Sequence, residues 1–202
     1  MPGRGCYKEN DVVKSKVQGI VRVKDNLVRV VPLGGTYVPQ EGDKIIGEIS
    51  NVGVSSWWVE LNSPYEGFLS LSDGSNEFID LEETELSDVY DIGDLVYAEV
   101  IRVTKGMDVK LSMDDRMCKQ LTGGMIQRIT PSKVPRLIGK GGSMVETIKN
   151  HTDTHIIIGQ NGVVWLDGEK IDMACKAIQL VDKESHKKGL TDKVEKLLKE
   201  GE

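Results

Sequence analysis

The spacing of apolar and polar positions changes period along the chain. From residue 12 to 38 it is two. Gln18-Gly-Ile-Val-Arg-Val-Lys24 alternates apolar with basic residues, Asp25-Asn26 supplies a two-residue turn, and Leu27-Val-Arg-Val-Val31 follows. This predicts a β-hairpin. Pro32, Gly34, Gly35 and Pro39 then end the pattern. Five short strand-like runs follow at 44–50, 56–61, 66–70, 95–103 and 108–112, separated by Gly, Asp, Asn and Ser. Five such strands fit a small closed barrel of the OB type. The acidic stretch between Leu71 and Ile92 predicts a loop plus a short helix.

After residue 124 helical periods appear. Met125–Ile129 reads as a strand and Ser132–Ile138 as a short helix, with Pro135 tolerated in its first turn. Gly139-Lys-Gly-Gly142 interrupts, and Ser143 is expected to cap a helix over 144–151. Strands 154–158 and 163–166 flank a Gln160-Asn161-Gly162 turn. A helix over 171–184 carries a core stripe of Met173, Ala174, Ala177, Ile178 and Val181. Residues 187–202 predict a frayed helix or, less favoured, a contact for a partner. The expected organisation is α+β and multidomain. It comprises a small β domain (1–40), the barrel (41–118), a βααββα domain (119–185) and a charged tail (186–202).

The 202 residues are 39% hydrophobic and 29% charged, a soluble globular composition. No apolar run approaches the ~18 residues of a membrane span, and Met1–Asp11 lacks the apolar stretch of a signal peptide. Cys6, Cys118 and Cys175 form no paired motif, which points to a reducing, cytoplasmic setting. The net charge of −6 conceals a division: residues 1–40 balance at +4, 41–118 at −13 and 119–202 at +3. Polyanions respond to the local patch, so the basic ends remain candidate nucleic-acid or partner surfaces. Arg22, Lys24 and Arg29 of the hairpin make either a solvated face or a docking face.

The most informative motif is Ile138-Gly-Lys-Gly-Gly142. A Gly-x-x-Gly loop between two short helices lets backbone approach a sugar–phosphate chain without Cβ clashes. The following helix turns its N-terminal N–H groups toward the phosphates. Lys140 adds a cation, and Lys133, Arg136, Arg128 and Lys149 lie close in sequence. This segment resembles a KH domain of the first topological type, over about residues 124–185. The resemblance implies that Gly139–Gly142 clamps about four nucleotides of a single strand.

The barrel resembles an S1 RNA-binding domain through Gly42-Asp43, Gly47, Trp58-Val59-Glu60-Leu61, Glu66-Gly67, Gly93-Asp94 and Leu111-Ser112. Such barrels stack bases on aromatics beside basic side chains. Two positions depart from that pattern: Ser55 and Ser70 stand where an aromatic and a histidine are common. Trp58 keeps the remaining aromatic position. Trp57 must face the opposite way, so one of the pair belongs to the core. Arg102, Lys105 and Lys110 are the candidate cations of this face.

S1 followed by KH, behind a β-rich N-terminal segment, resembles the RNA-binding cap subunit of the archaeal exosome. Gly35–Gly47, Trp57–Tyr65 and Leu137–Ser143 carry that likeness. It implies a non-catalytic subunit without cofactor or metal. Three copies, alone or mixed with a second cap subunit, sit on a hexameric RNase PH-like ring of two other subunit types. They feed single-stranded RNA, with adenine-rich tails preferred, to the pore. The N-terminal segment is the expected docking element.

Other constellations lack support. His151 and His155, with Asp153 between, fall at a helix end and a strand start, which breaks i,i+4 metal geometry. Glu82–Asp91 is a carboxylate run in one segment rather than a convergence onto a pocket. Gly139–Gly142 lacks the Lys-Ser/Thr of a phosphate-binding P-loop. Two rivals remain. One is a free S1/KH regulator of transcription or translation. The other is a relative of a phosphorolytic nuclease, whose module order is reversed.

Overall fold

The computed structural model describes residues 1–3, 5–32, 34–75, 84–187 and 189–199, with backbone alone at 20, 24, 29, 31 and 32. The N-terminal part is two hairpins. Strands β1 (Cys6–Glu9) and β2 (Val12–Ser15) pair across Asn10-Asp11, and β3 (Gly19–Lys24) and β4 (Leu27–Pro32) pair across Asp25-Asn26. All four turn residues have positive φ, which Asn and Asp adopt at low cost. The second hairpin is the predicted one. The first is not legible because Cys6–Glu9 has no alternating apolar set. Val12, Val21 and Val23 are exposed by 57%, 59% and 69%, so these ribbons bury little. Arg22 is exposed, while the side chains of Lys24 and Arg29 lie outside the described residues.

The barrel uses β5 (Lys44–Val52), β6 (Ser56–Glu60), β7 (Glu66–Ser70), β8 (Leu95–Val103) and β9 (Val109–Ser112). Strand order is β8-β5-β6-β7-β9, and β9 returns to the C-terminal half of β8, closing the five strands. Bulges at Ile49/Asn51 and Val100/Arg102 bend the two long strands. Alternate residues point inward, and Ile45, Ile49, Val59, Leu69, Val100 and Leu111 are almost wholly buried. Trp57 is the core member of the tryptophan pair. It is fully buried, and its Nε1 donates to Tyr90 O at 2.9 Å. Two single-turn helices, α1 (Leu71–Gly74) and α2 (Leu86–Val89), pack around it. The remainder of the acidic stretch, including Glu82 and Glu83, lies outside the described residues.

The sequence reading starts the third unit at Lys119. The structure instead gives a strand, β10 (Lys119–Leu121), that pairs with the N-terminal half of β8 and extends the barrel sheet. The C-terminal unit follows as β11 (Met125–Arg128), α3 (Val134–Ile138), α4 (Ser143–Thr152), β12 (Thr154–Ile158), β13 (Val163–Gly168) and α5 (Ile171–Glu184). The sheet is antiparallel in the order β11-β13-β12. Ile156, Val164 and Leu166 face Leu137, Ile148 and Ile178 of the helices.

The tail needs correction. Leu190–Lys199 forms α6, and Leu190, Val194 and Leu198 are buried in the same core. Their i, i+4, i+8 spacing makes one apolar stripe. A tail judged by its charge looks frayed, because nothing in its own sequence shows that α4 and α5 cover that stripe. Glu184 of α5 pins α6 further by an ion pair to Lys193 and also pairs with Lys187 of the intervening turn.

The outer face of the C-terminal sheet packs on the barrel. Ile126, Ile157, Val163 and Trp165 meet Ile46, Leu95, Tyr97 and Leu121. The β12–β13 turn enters this seam. Asn161 is fully buried there, and its Nδ2 donates to Ile46 O at 2.7 Å and to Leu61 O at 3.0 Å. Gln160 N donates to Lys44 O at 2.7 Å. A Cβ at Gly159 would stand 2.7 Å from Ile46 N, so only glycine permits this approach.

Candidate nucleic-acid interface

The Gly139–Gly142 loop begins where α3 ends. Gly139 adopts φ 77°, ψ 178°, and a Cβ there would lie 2.7 Å from Met144 N. Glycine is required at this position by both strain and space. Gly141 also has positive φ, but a Cβ there would meet nothing within 4 Å. One end of the loop is therefore fixed against α4, and its crest is open backbone. Gly142, not Ser143, is the N-cap of α4, and Ser143 is the first helical residue without a side-chain cap. The left-handed Gly142 turns the chain directly into the helix and leaves first-turn N–H groups without a capping side chain. Those groups and the dipole favour an anion at the crest. The Glu146 carboxylate stands near Gly142 and opposes it.

The candidate cations divide. Lys140 is exposed on the crest and Arg136 is exposed on α3. Among the described residues neither is paired with a carboxylate. Lys133 is engaged elsewhere: its Nζ donates to Asp182 O at 2.6 Å and lies 3.4 Å from Asp182 Oδ1. It ties the start of α3 to α5. Arg128 lines a cleft of about 210 Å³ at the seam, beside Glu48 and Glu60, rather than the loop.

On the barrel, the strand register brings several predicted residues into one row. Asn51 pairs with Trp58, Trp58 with Phe68, Phe68 with Lys110, and Lys110 with Arg102. Register partners share a face, so the row crosses all five strands. Trp58 and Phe68 meet edge to face with centroids 6.0 Å apart. Phe68 is 39% exposed, which is unusual for a ring flanked by a core leucine. The sequence reading missed Phe68. Its signal is the alternation Gly67-Phe68-Leu69, which places Phe68 opposite to the core. Lys110 is paired with Asp73 at 2.7 Å. Burial pushes the Asp73 carboxyl up, but hydrogen bonds from Lys110 and Ser70 outweigh it and hold the group below its ordinary value. Arg102 is exposed, and Lys105 is exposed in the β8–β9 turn at the end of the row.

The histidine pair does not converge. His151 Nδ1 donates to Thr147 O at 2.9 Å within α4, while the His155 ring lies edge-on to Trp165 at 5.7 Å. Among the described residues no group of three His, Cys, Asp or Glu side chains could hold a metal. Burial pushes the Cys118 thiol up to about 11, so it is not a poised nucleophile.

A closed five-strand barrel joined to a βααββα unit with an exposed Gly-x-x-Gly crest defines the S1–KH class of protein. A family model for the KH domain matches residues 124–172, and one for the RRP4 S1 domain matches residues 36–102. Exosome complex component Rrp4 of Thermococcus kodakarensis is 45% identical over 201 residues, covering 97% of this chain and 78% of that protein. The Pyrococcus abyssi protein of the same name is 44% identical over 201 residues, covering 97% and 76%. A crystal structure described as an exosome complex RNA-binding protein superposes with a TM-score of 0.75 at 32% identity, over 82% of this chain and 97% of that one. The chain belongs to the Rrp4 family of exosome components.

Proposed function

We propose that this chain is a non-catalytic, RNA-binding subunit of a cytoplasmic exosome. It sits as a cap on the ring that degrades RNA from the 3′ end. The observation that carries this reading is the match of nearly the whole chain to Rrp4 proteins, with both RNA-binding modules in the same order. Three copies cap a hexameric ring of two other subunit types, and the exposed N-terminal ribbons dock on it.

The residues have distinct tasks. The Gly139–Gly142 crest receives the sugar–phosphate backbone, and Lys140 and Arg136 supply counter-charge. Trp58 and Phe68 stack bases, while Arg102 and Lys105 hold the strand on the barrel and Lys110 is tied to Asp73. Each contact is weak. Repetition in three copies around a pore raises the local RNA concentration at the entrance. Residues of the acidic barrel outside the row repel phosphate and keep RNA on the two tracks.

The test uses the isolated protein with an end-labelled single-stranded RNA. Retarded RNA of unchanged length is expected. Shortened RNA would show that the chain degrades RNA itself, and no retardation would remove the RNA-binding role.

A further inference from the structure

The seam between barrel and C-terminal unit carries basic groups that neither RNA surface uses. Lys119 belongs to β10 and pairs with Tyr97. Tyr97 and Leu121, two residues on, both lie in the seam cluster, so Lys119 projects on the seam side of its strand. His155 belongs to β12, two residues before Ile157 of the same cluster, and its ring rests on the seam residue Trp165. Lys119 and His155 are exposed, so they stand at the rim rather than inside.

Lys149 comes from a third element. It is half-buried on α4, the helix that starts at the Gly-x-x-Gly crest. Burial, and then the nearby charges of Lys149 and Lys119, hold the His155 imidazole below its ordinary value, while Asp167 acts the other way. Helix α4 packs against β12, the strand of His155, so Lys149 from one unit and Lys119 from the other flank the same imidazole. Asp167, the register partner of His155, places one carboxylate beside them. Among the described residues neither lysine is paired with it or with any other carboxylate. Like charges left unpaired repel each other, and a bridging anion relieves that.

We infer that Lys149, His155 and Lys119 form a phosphate-binding track that carries single-stranded RNA from the Gly-x-x-Gly crest along α4 and across the seam onto the barrel. The inference rests on the RNA-binding reading and adds its path. Phosphate contacts of this kind position the strand without reading sequence. A clamp of about four nucleotides occupies the crest alone, so the track is reached only by a longer strand.

The experiment measures RNA affinity against salt for wild type, Lys119→Gln, Lys149→Gln, the double variant and Lys140→Gln. The probes are a tetranucleotide and a 20-nucleotide single strand. For the 20-mer, each of Lys119→Gln and Lys149→Gln should lower the slope of log K against log salt by about 0.7, and the double variant by about 1.4. The tetranucleotide should be unaffected by Lys119→Gln and weakened by Lys140→Gln. Both lysines leave no buried group behind, and melting temperatures serve as the folding control. Equal 20-mer slopes in wild type and double variant, with Lys140→Gln still weakening binding, would overturn the track and leave the RNA reading intact. A Lys119→Gln effect as large on the tetranucleotide as on the 20-mer would reduce it to general charge and also overturn it. Absence of RNA binding by wild type would remove the reading beneath it.

Discussion

Asn161 pairs with Ile46 as one strand residue pairs with another. Its Nδ2 donates to Ile46 O at 2.7 Å, and its Oδ1 accepts from Ile46 N at 3.4 Å, across 115 positions of sequence. Ile46 pairs with Tyr97 of β8 on one side, but β6 ends at Glu60, opposite Glu48, so among the described residues its other side has no strand neighbour. A side-chain amide from the other unit fills that place. Asn62 returns the contact by donating to Asn161 O at 2.9 Å.

Asn161→Ala leaves the Ile46 backbone buried and unpaired. It should cost about 1–3 kcal/mol. The loss falls on the seam, so thermal unfolding monitored by calorimetry should broaden or split as the two units uncouple. A single transition at the wild-type midpoint would show that the apolar seam alone joins them.

The loop glycines should respond differently to substitution. Gly139→Ala forces a Cβ to 2.7 Å from Met144 N and should lower stability as well as RNA binding. Gly141→Asp meets open space, and Asp tolerates the left-handed region. That variant, combined with Lys140→Asp, should retain the wild-type melting temperature within a few degrees and lose RNA affinity at least about tenfold. Parallel melting and binding titrations separate the two cases. Glu146→Gln, which removes the opposing carboxylate, should strengthen binding.

Adjacent tryptophans should give opposite phenotypes. Trp57→Ala empties a fully buried site and should destabilise the barrel by about 3–5 kcal/mol. Trp58→Ala and Phe68→Ala should leave the barrel folded and weaken RNA binding by about 1–3 kcal/mol for each stacked base lost. Denaturant unfolding and fluorescence titration of RNA distinguish them. Loss of RNA binding without loss of stability in Trp57→Ala would reverse the assignment of faces.

The junction between α5 and α6 should be acid-sensitive. Hydrogen bonds from Lys187 and Lys193 lower the Glu184 carboxyl to about 2 from an ordinary 4.5. A carboxyl depressed in the folded state stabilises fully above its unfolded pKa, and the contribution disappears as pH falls through the folded value. Helix α6 should therefore loosen between about pH 4.5 and 2, read by hydrogen exchange of its amides. Glu184→Gln should remove this pH dependence. Leu198→Ala, at a buried position of the same helix, should cost about 2–5 kcal/mol at neutral pH.

Local signals account for what was legible in the sequence. The bounds of α5, the hairpin across Asp25-Asn26, the five barrel runs and the Gly139–Gly142 loop all depend on period, turn residues or glycine. Strand alternation alone separates Trp57 from Trp58. What escaped depends on distant partners. Lys133 and Lys110 look like free cations until Asp182 and Asp73 are placed beside them. Phe68 joins the row of Trp58 and Lys110 only once its strand register is known. The Gln160-Asn161-Gly162 turn reads as an ordinary hairpin end, since its partners Ile46 and Leu61 lie about a hundred positions away.

The central claim is that this chain works as an RNA-binding subunit of an exosome. The most direct measurement is the subunit composition and mass, by light scattering, of the assembly recovered from native lysate on tagged protein. The account predicts two nuclease-like proteins in three copies each, together with three cap positions that hold this chain alone or with a second cap subunit. It also predicts loss of co-elution when residues 1–40 are deleted. Recovery of a free monomer that binds RNA without those partners would contradict the account and favour a free S1–KH regulator.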